Sequence, residues 1–150
     1  MNAGLALLDV NVAMYAAGRA HPYKEPCGWV MTEIAEGRLA AAVDTEIIQE
    51  ILYRYGALQQ WSVAVTLARS LLEIVPTVFP VLPADAGLAI ELFDEYGPRG
   101  VSARDALHAA VMRSNAVAQI ISADLHFDLI AGITRLDPRT LFESARGQRT

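Results

Sequence analysis

Leu5-Ala6-Leu7-Leu8-Asp9 is a short apolar run that ends in a carboxylate, and Val10-Asn11 and a helix-favouring stretch to about Gly18 follow it. That order reads as strand, turn and helix. The alternation then repeats along the chain. His21-Pro22-Tyr23-Lys24-Glu25-Pro26 breaks the pattern, after which Trp29, Val30, Ile34 and Leu39 recur at near-helical spacing. Ala40-Ala41-Ala42-Val43 is a second buried run, and Asp44-Thr45 offers N-cap chemistry to a helix carrying Ile47, Ile48, Ile51, Leu52 and Tyr55. Gln59 to about Val75 carries Trp61, Val65, Leu67, Ala68, Leu71 and Leu72, which predicts a largely buried helix stopped by Pro76.

Thr77-Val78-Phe79-Pro80-Val81-Leu82 is β-branched and aromatic, but Pro80 cannot donate to a ladder, so this strand belongs at a sheet edge. A helix from Asp85 to about Tyr96, a loop at Gly97–Gly100 and a helix from Ser102 to about Ser114 come next. Ala118–Ser122 is a fourth strand and Thr134–Leu136 a fifth. Pro138 then opens a C-terminal helix to about Ala145, and residues 146–150 are expected to fray. Short apolar strands between longer helices require a parallel sheet covered on both faces, so the class is doubly wound α/β, with residues 1–150 forming one domain.

Composition narrows the setting. Of the 150 residues 53% are hydrophobic and 19% charged, enough apolar material for a substantial core. No apolar stretch reaches about 18 residues, the minimum for a membrane span, and Met1–Val10 lacks the basic start of a secretion signal. Cys27 is the only cysteine, which excludes an internal disulfide and a thiolate zinc cluster and suits a reducing cytoplasm. A net charge of −5 argues against coating nucleic acid by bulk electrostatics. Eleven of the twelve basic residues are arginine, with Lys24 the exception, so local phosphate contacts through guanidinium groups remain open.

The carboxylates carry the chemistry. Asp9 and Asp124 follow the first and fourth strands, at the rim where open α/β sheets bind ligands. Asp105 opens the helix before the fourth strand, and Glu50 lies nearly two turns into the helix after the second. Four converging carboxylates without lysine or arginine partners repel one another and resist ionisation unless a cation sits among them. Magnesium or manganese, which prefer oxygen ligands, would resolve this, and such ions serve phosphodiester hydrolysis by activating water and stabilising the departing oxygen. Each acid also has a plain role: Asp9 as an Asx turn or cap, Glu50 paired with Arg54, Asp105 in a capping box with Ser102, Asp124 as a first-turn acid sharing a face with Asp128.

Taken together, Leu7-Leu8-Asp9-Val10-Asn11, Ile47-Ile48-Gln49-Glu50-Ile51-Leu52, Arg104-Asp105-Ala106-Leu107-His108-Ala109-Ala110 and Ser122-Ala123-Asp124-Leu125-His126-Phe127-Asp128 resemble the PIN-domain family, nearest to its VapC-type toxins. The likeness runs from Leu5 to Pro138. It implies a three-layer α/β/α sandwich with a five-stranded parallel sheet in order 3-2-1-4-5. It also implies an acidic quartet of Asp9, Glu50, Asp105 and Asp124, with Asp128 as an auxiliary metal ligand and Asn11 and Ser122 in support. The implied activity is magnesium- or manganese-dependent hydrolysis of RNA, leaving a 3′ hydroxyl and a 5′ phosphate. The implied partners are an RNA substrate, an antitoxin protein and a second copy of the chain.

Nearby residues read more plainly. His108 and His126 are expected to face core or solvent, Trp29 and Trp61 to pack, and Arg99, Arg104 and Arg113 to be solvated. A phosphoacceptor receiver domain would need a late lysine and an early acidic pair, and the chain has neither. A PIN-like module that binds RNA or a partner without cutting is the remaining alternative.

Overall fold

The first apolar run sends Ala6 and Leu8 into one core and Leu7 into another, the period-two division that a strand covered on both faces imposes. The computed structural model describes residues 4–148. Five strands, β1 (Ala6–Leu8), β2 (Ala41–Asp44), β3 (Thr77–Phe79), β4 (Gln119–Ile121) and β5 (Thr134–Leu136), make one sheet in the order β3-β2-β1-β4-β5, with every pairing parallel. The helices are α1 (Val10–Ala17), α2 (Lys24–Ala35), α3 (Glu46–Ala57), α4 (Trp61–Ile74), α5 (Pro83–Tyr96), α6 (Ala103–Ser114) and α7 (Pro138–Gly147). Both the α/β class and the implied strand order hold.

One face is covered by α1 to α4, which contribute Val12, Val30, Ile34, Ile47, Ile51 and Leu71 to the core beside Val43 and Ile121. The other is covered by α5 and α6, which set Leu92, Ala106, Ala109 and Met112 against Leu7 and Ile120. Phe127, from a short 3-10 turn at Leu125–Leu129, closes that second core and is fully buried. Each such large side chain stabilises the fold by about 1.5–3 kcal/mol through removal from water. The alanines of α6 let that helix lie close on the sheet, which brings its first turn to the rim.

From β1 the chain moves outward through β2 to β3, then crosses to β4 and β5 on the other side. Strand order therefore reverses at β1, and the crevice opens between the carboxyl ends of β1 and β4. There the Asp9 N–H donates to the Ile121 carbonyl at 3.0 Å, so the ladder continues one residue beyond β1 and fixes the Asp9 backbone.

Several expectations need correction. β3 does lie at the edge, but Pro80 falls just past it, so proline ends the strand rather than occupying it. α5 starts at Pro83, which suits a first helical position whose N–H has no partner to lose. α2 takes in Pro26 in its first turn and stops before Leu39. α4 is not largely buried: only Ala64, Ala68 and Leu71 are, while Trp61, Val65 and Leu72 face solvent. Trp61, at 65% exposure, does not pack as expected, whereas Trp29 is half-buried and meets the Phe142 ring at 6.0 Å. α7 reaches Gly147, two residues past the expected Ala145, and residues 149 and 150 of the expected frayed tail lie outside the described residues.

Candidate active site

Asp9 leaves β1 and caps α1, its Oδ1 accepting from the Val10 N–H at 2.8 Å. Its Oδ2 accepts from the Ser122 hydroxyl at 2.6 Å and from Asn11 Nδ2 at 3.1 Å. Ser122 Oγ in turn accepts from the Asp124 N–H at 2.9 Å, and the Ala123 N–H donates to Asn11 Oδ1 at 3.3 Å. These bonds stitch the end of β1 to the end of β4 and hold one Asp9 carboxylate geometry. Burial nevertheless raises the Asp9 carboxyl above its ordinary range, against the lowering influence of His108 and Ser122.

Asp105 stands in the first turn of α6, where its N–H donates to Ser102 Oγ at 3.1 Å. Its carboxyl is pushed up to about 7, first by burial and then by the negative charges of Asp9 and Asp124. Asp124 behaves oppositely. Burial opposes its ionisation, but the His126 N–H at 2.9 Å and the His126 ring nitrogen at 2.7 Å help to outweigh that and hold its carboxyl below the usual range. A pair of acids with separated affinities for protons is what a rim that trades a proton for a cation requires.

Glu50 reaches the rim from α3 and is 4% exposed. Its Oε1 lies 3.2 Å from His108 Nε2, and the other ring nitrogen of His108 lies 2.5 Å from Asp44 Oδ2. Burial alone would discharge His108; Asp44 above all, then Glu50 and Asp9, raise it well above the ordinary histidine range, so the ring is an imidazolium between two carboxylates. Arg54 Nη2 and Arg104 Nη1 also approach Glu50, at 3.5 and 3.7 Å. Glu50 therefore has arginine partners, Arg54 in the plain role foreseen for it and Arg104 in addition, so the cluster is not without basic neighbours as the repulsion argument had assumed.

Ligand atoms of Asp9, Glu50 and His108 lie within 4.8 Å of one another. Both nitrogens of His108 are already engaged, whereas each carboxylate oxygen, although hydrogen-bonded, keeps a further lone pair to offer a cation. Oxygen donors around a buried, under-neutralised centre fit a hard divalent cation such as magnesium or manganese. Glu50, Asp105 and Asp124 line a cleft of about 680 Å³ together with Arg54, Arg104 and His126.

Asp128 is not gathered in. Its two oxygens take Arg135 Nε and Nη2 at 3.0 and 3.2 Å, and Arg135 also donates to Asp137 and to the Ser122 carbonyl. Arg113 donates to the Ala131 carbonyl at 2.9 Å and Arg99 lies over the Tyr96 ring, so neither is merely solvated. Arg104 bridges Glu46, Gln49 and the Tyr53 ring as well as Glu50. His126 is half-exposed yet bonded to Asp124, and His108 faces the core as expected.

Sequence reasoning missed Asp44. It was read as a cap, and its Oδ1 does accept from the Ile47 N–H at 3.2 Å, but Oδ2 holds His108. The signal was available: Asp44, like Asp9, is an acid at the carboxyl end of an apolar strand.

The model of the PIN domain matches residues 6–133, and the chain belongs to the PIN-domain family. Ribonuclease VapC13 of Mycobacterium tuberculosis is 32% identical over 132 residues, spanning 88% of this chain and 99% of that one. Among solved structures, VapC20 of Mycobacterium tuberculosis, described as a sarcin-ricin loop cleaving toxin, superposes with a TM-score of 0.72 at 19% identity over 89% of this chain and 99% of that one. A toxin-antitoxin complex from Klebsiella pneumoniae contains a chain that superposes with a TM-score of 0.62 at 17% identity, covering 89% of this chain and 97% of that one.

Proposed function

We propose that this protein is a magnesium- or manganese-dependent endoribonuclease acting in the cytoplasm as the toxin of a toxin-antitoxin pair. One observation supports the chemistry above the others: Asp9, Glu50, Asp105 and Asp124, from four separate elements, come to one rim, where burial and mutual repulsion leave room for positive charge. The named activity of relatives at 32% identity over nearly the whole chain supports the substrate class. The neighbour solved as a toxin-antitoxin complex supports an antitoxin partner, and a homodimer follows the family resemblance.

Asp9 and Asp124 would hold the cation directly, while Glu50 and Asp105 complete its coordination or orient its waters. The bound cation would supply an activated water and neutralise charge on the phosphate. Asn11 and Ser122 keep Asp9 Oδ2 in place by the two bonds already described. Asp128 could act as an auxiliary ligand only after leaving Arg135. Arg54 and Arg104, at the cleft wall, are placed to meet phosphate once they let go of Glu50.

A second reading, a module that binds RNA or a partner without cutting, draws on the same arginines, because Arg54 and Arg104 relieve part of the repulsion that an idle acid cluster would suffer. Expression of the wild-type chain and of Asp9→Asn separates the two. The nuclease reading expects metal-dependent RNA cleavage and growth arrest from the wild type alone; identical behaviour of both proteins would falsify it.

A further inference from the structure

Beyond the acid cluster the surface opens into a second cleft of about 660 Å³, between α1, the loop after it and the α3–α4 junction. Arg54 lines both clefts, and Asn11, which bonds Asp9, lines this one. The candidate metal centre thus lies between two grooves that share a wall. In a molecule of net charge −5, the lining of the second groove contains no carboxylate; it presents Arg19 and Arg54 with Gln60 at the rim.

Its remaining feature is a fan of aromatic rings. Tyr15 stacks on His21 with centroids 4.5 Å apart and on Tyr23 at 5.3 Å, all three planes within 26° of one another. Tyr15 and His21 belong to the groove lining, and His21 and Arg19 are exposed. His21 Nδ1 accepts from the Tyr23 N–H at 3.1 Å, which fixes the ring relative to the backbone. Arg139 lies over the Tyr23 ring at 5.7 Å, and Lys24 donates to the Gly18 carbonyl at the same end of the groove. Tyr15 follows Asn11 by four residues on α1, so the platform stands one helical turn, about 6 Å along the axis, from a side chain that touches Asp9.

Resting on the nuclease reading, we propose that this groove seats an unpaired nucleotide of the RNA strand adjoining the cut, its base against Tyr15 and His21 and its phosphate toward Arg19. Stacked rings beside guanidinium groups, in a lining that itself holds no carboxylate, match the two components of single-strand recognition: a π-face for any base and positive charge along the backbone. The groove therefore makes the enzyme select single-stranded segments, because a base held in a duplex cannot turn onto the platform.

The experiment compares wild type, Arg19→Gln, His21→Ala and Tyr15→Leu on a short unpaired RNA. Binding is read by fluorescence anisotropy in an Asp9→Asn background, and KM and kcat by cleavage in the active protein. The first two variants alter exposed side chains, so folding is not at stake in them, and a thermal melt checks Tyr15→Leu. His21→Ala and Tyr15→Leu are expected to weaken binding by about tenfold and to raise KM while leaving kcat near that of the wild type. An RNA abasic at one position beside the cut should lose affinity for the wild type and be indifferent to His21→Ala. Equal binding by variants and wild type would overturn the subsite while leaving the nuclease intact; a wild type that neither binds nor cuts RNA would remove both. Unchanged RNA binding with loss of neutralisation by a co-expressed antitoxin would assign the groove to a protein partner and likewise overturn it.

Discussion

Asp105 keeps its proton up to about pH 7 because burial and the charges of Asp9 and Asp124 disfavour its anion. Any cation entering the site must displace that proton, so apparent magnesium or manganese affinity should rise between pH 6 and 8. Titration calorimetry in two buffers of different ionisation heat would report the released proton, and Asp105→Asn should flatten the dependence. His108 poses the complementary case. Replacing it with Leu leaves the buried Asp44 without its charged partner and takes from Glu50 its nearest one, and should cost about 3–5 kcal/mol in urea unfolding. Its folded affinity for the proton exceeds the unfolded one, so the stability it contributes is complete below about pH 6.5 and fades as pH rises through the higher folded value. Residue types told this story only in part. Asp9 and Asp124 were legible because strand ends in a parallel sheet share one rim, and the same rule applied to Asp44 would have found the partner of His108. That Arg54 turns toward Glu50 was legible as one of two readings, since helical spacing permits that contact without requiring it; that Arg104 does so was not, because it comes from another element.

Among elements, the loop between α5 and α6 is constrained at a glycine. Gly100 sits at φ +107°, and a Cβ there would meet the His126 ring at 3.1 Å. Gly100→Ala should cost about 1–3 kcal/mol in backbone strain. It should also push His126 off Asp124, so that cleavage falls further than the melting temperature alone would suggest; activity measured well below the melt tests this. Elements themselves were largely readable because each strand is a short apolar run between helix-length stretches, and two of the boundaries that moved, the end of β3 and the start of α5, moved at prolines. Pro80 ends β3 and Pro83 begins α5, two effects of a missing N–H that composition alone does not assign to one side or the other. The exposed face of α4 was hidden for a different reason. Apolar content says that a helix has something to bury, not that its neighbours reach it, and only Ala64, Ala68 and Leu71 are buried, with Leu67 and Ile74 half-buried against the core.

The molecule as a whole carries its site as a load on the fold. Asp9 and Asp105 both bind protons more tightly when folded than the ordinary carboxyl does, so the metal-free protein loses stability as pH climbs from about 4, the unperturbed carboxyl value, toward 7. A cation binding only the folded state returns that stability by mass action. Two shifts of opposite sign should then appear in one variant. Asp105→Asn removes a partly buried charge from a repelling cluster, so without metal at pH 8 it should melt above the wild type by roughly 2–8 °C, equivalent to about 1–2 kcal/mol for a chain of this size. With saturating magnesium or manganese the order should invert, because the wild type gains from the ion and the variant has lost a carboxylate that serves it. Melting curves of both proteins with chelator and with metal, at pH 5 and pH 8, give four comparisons. At pH 5 the metal-free difference should shrink, since the wild-type carboxyl is then protonated and nearly matches the amide. A variant that melts below the wild type under every condition would mean that Asp105 holds the fold together rather than burdening it, and the case for a cation at this rim would lose its energetic basis.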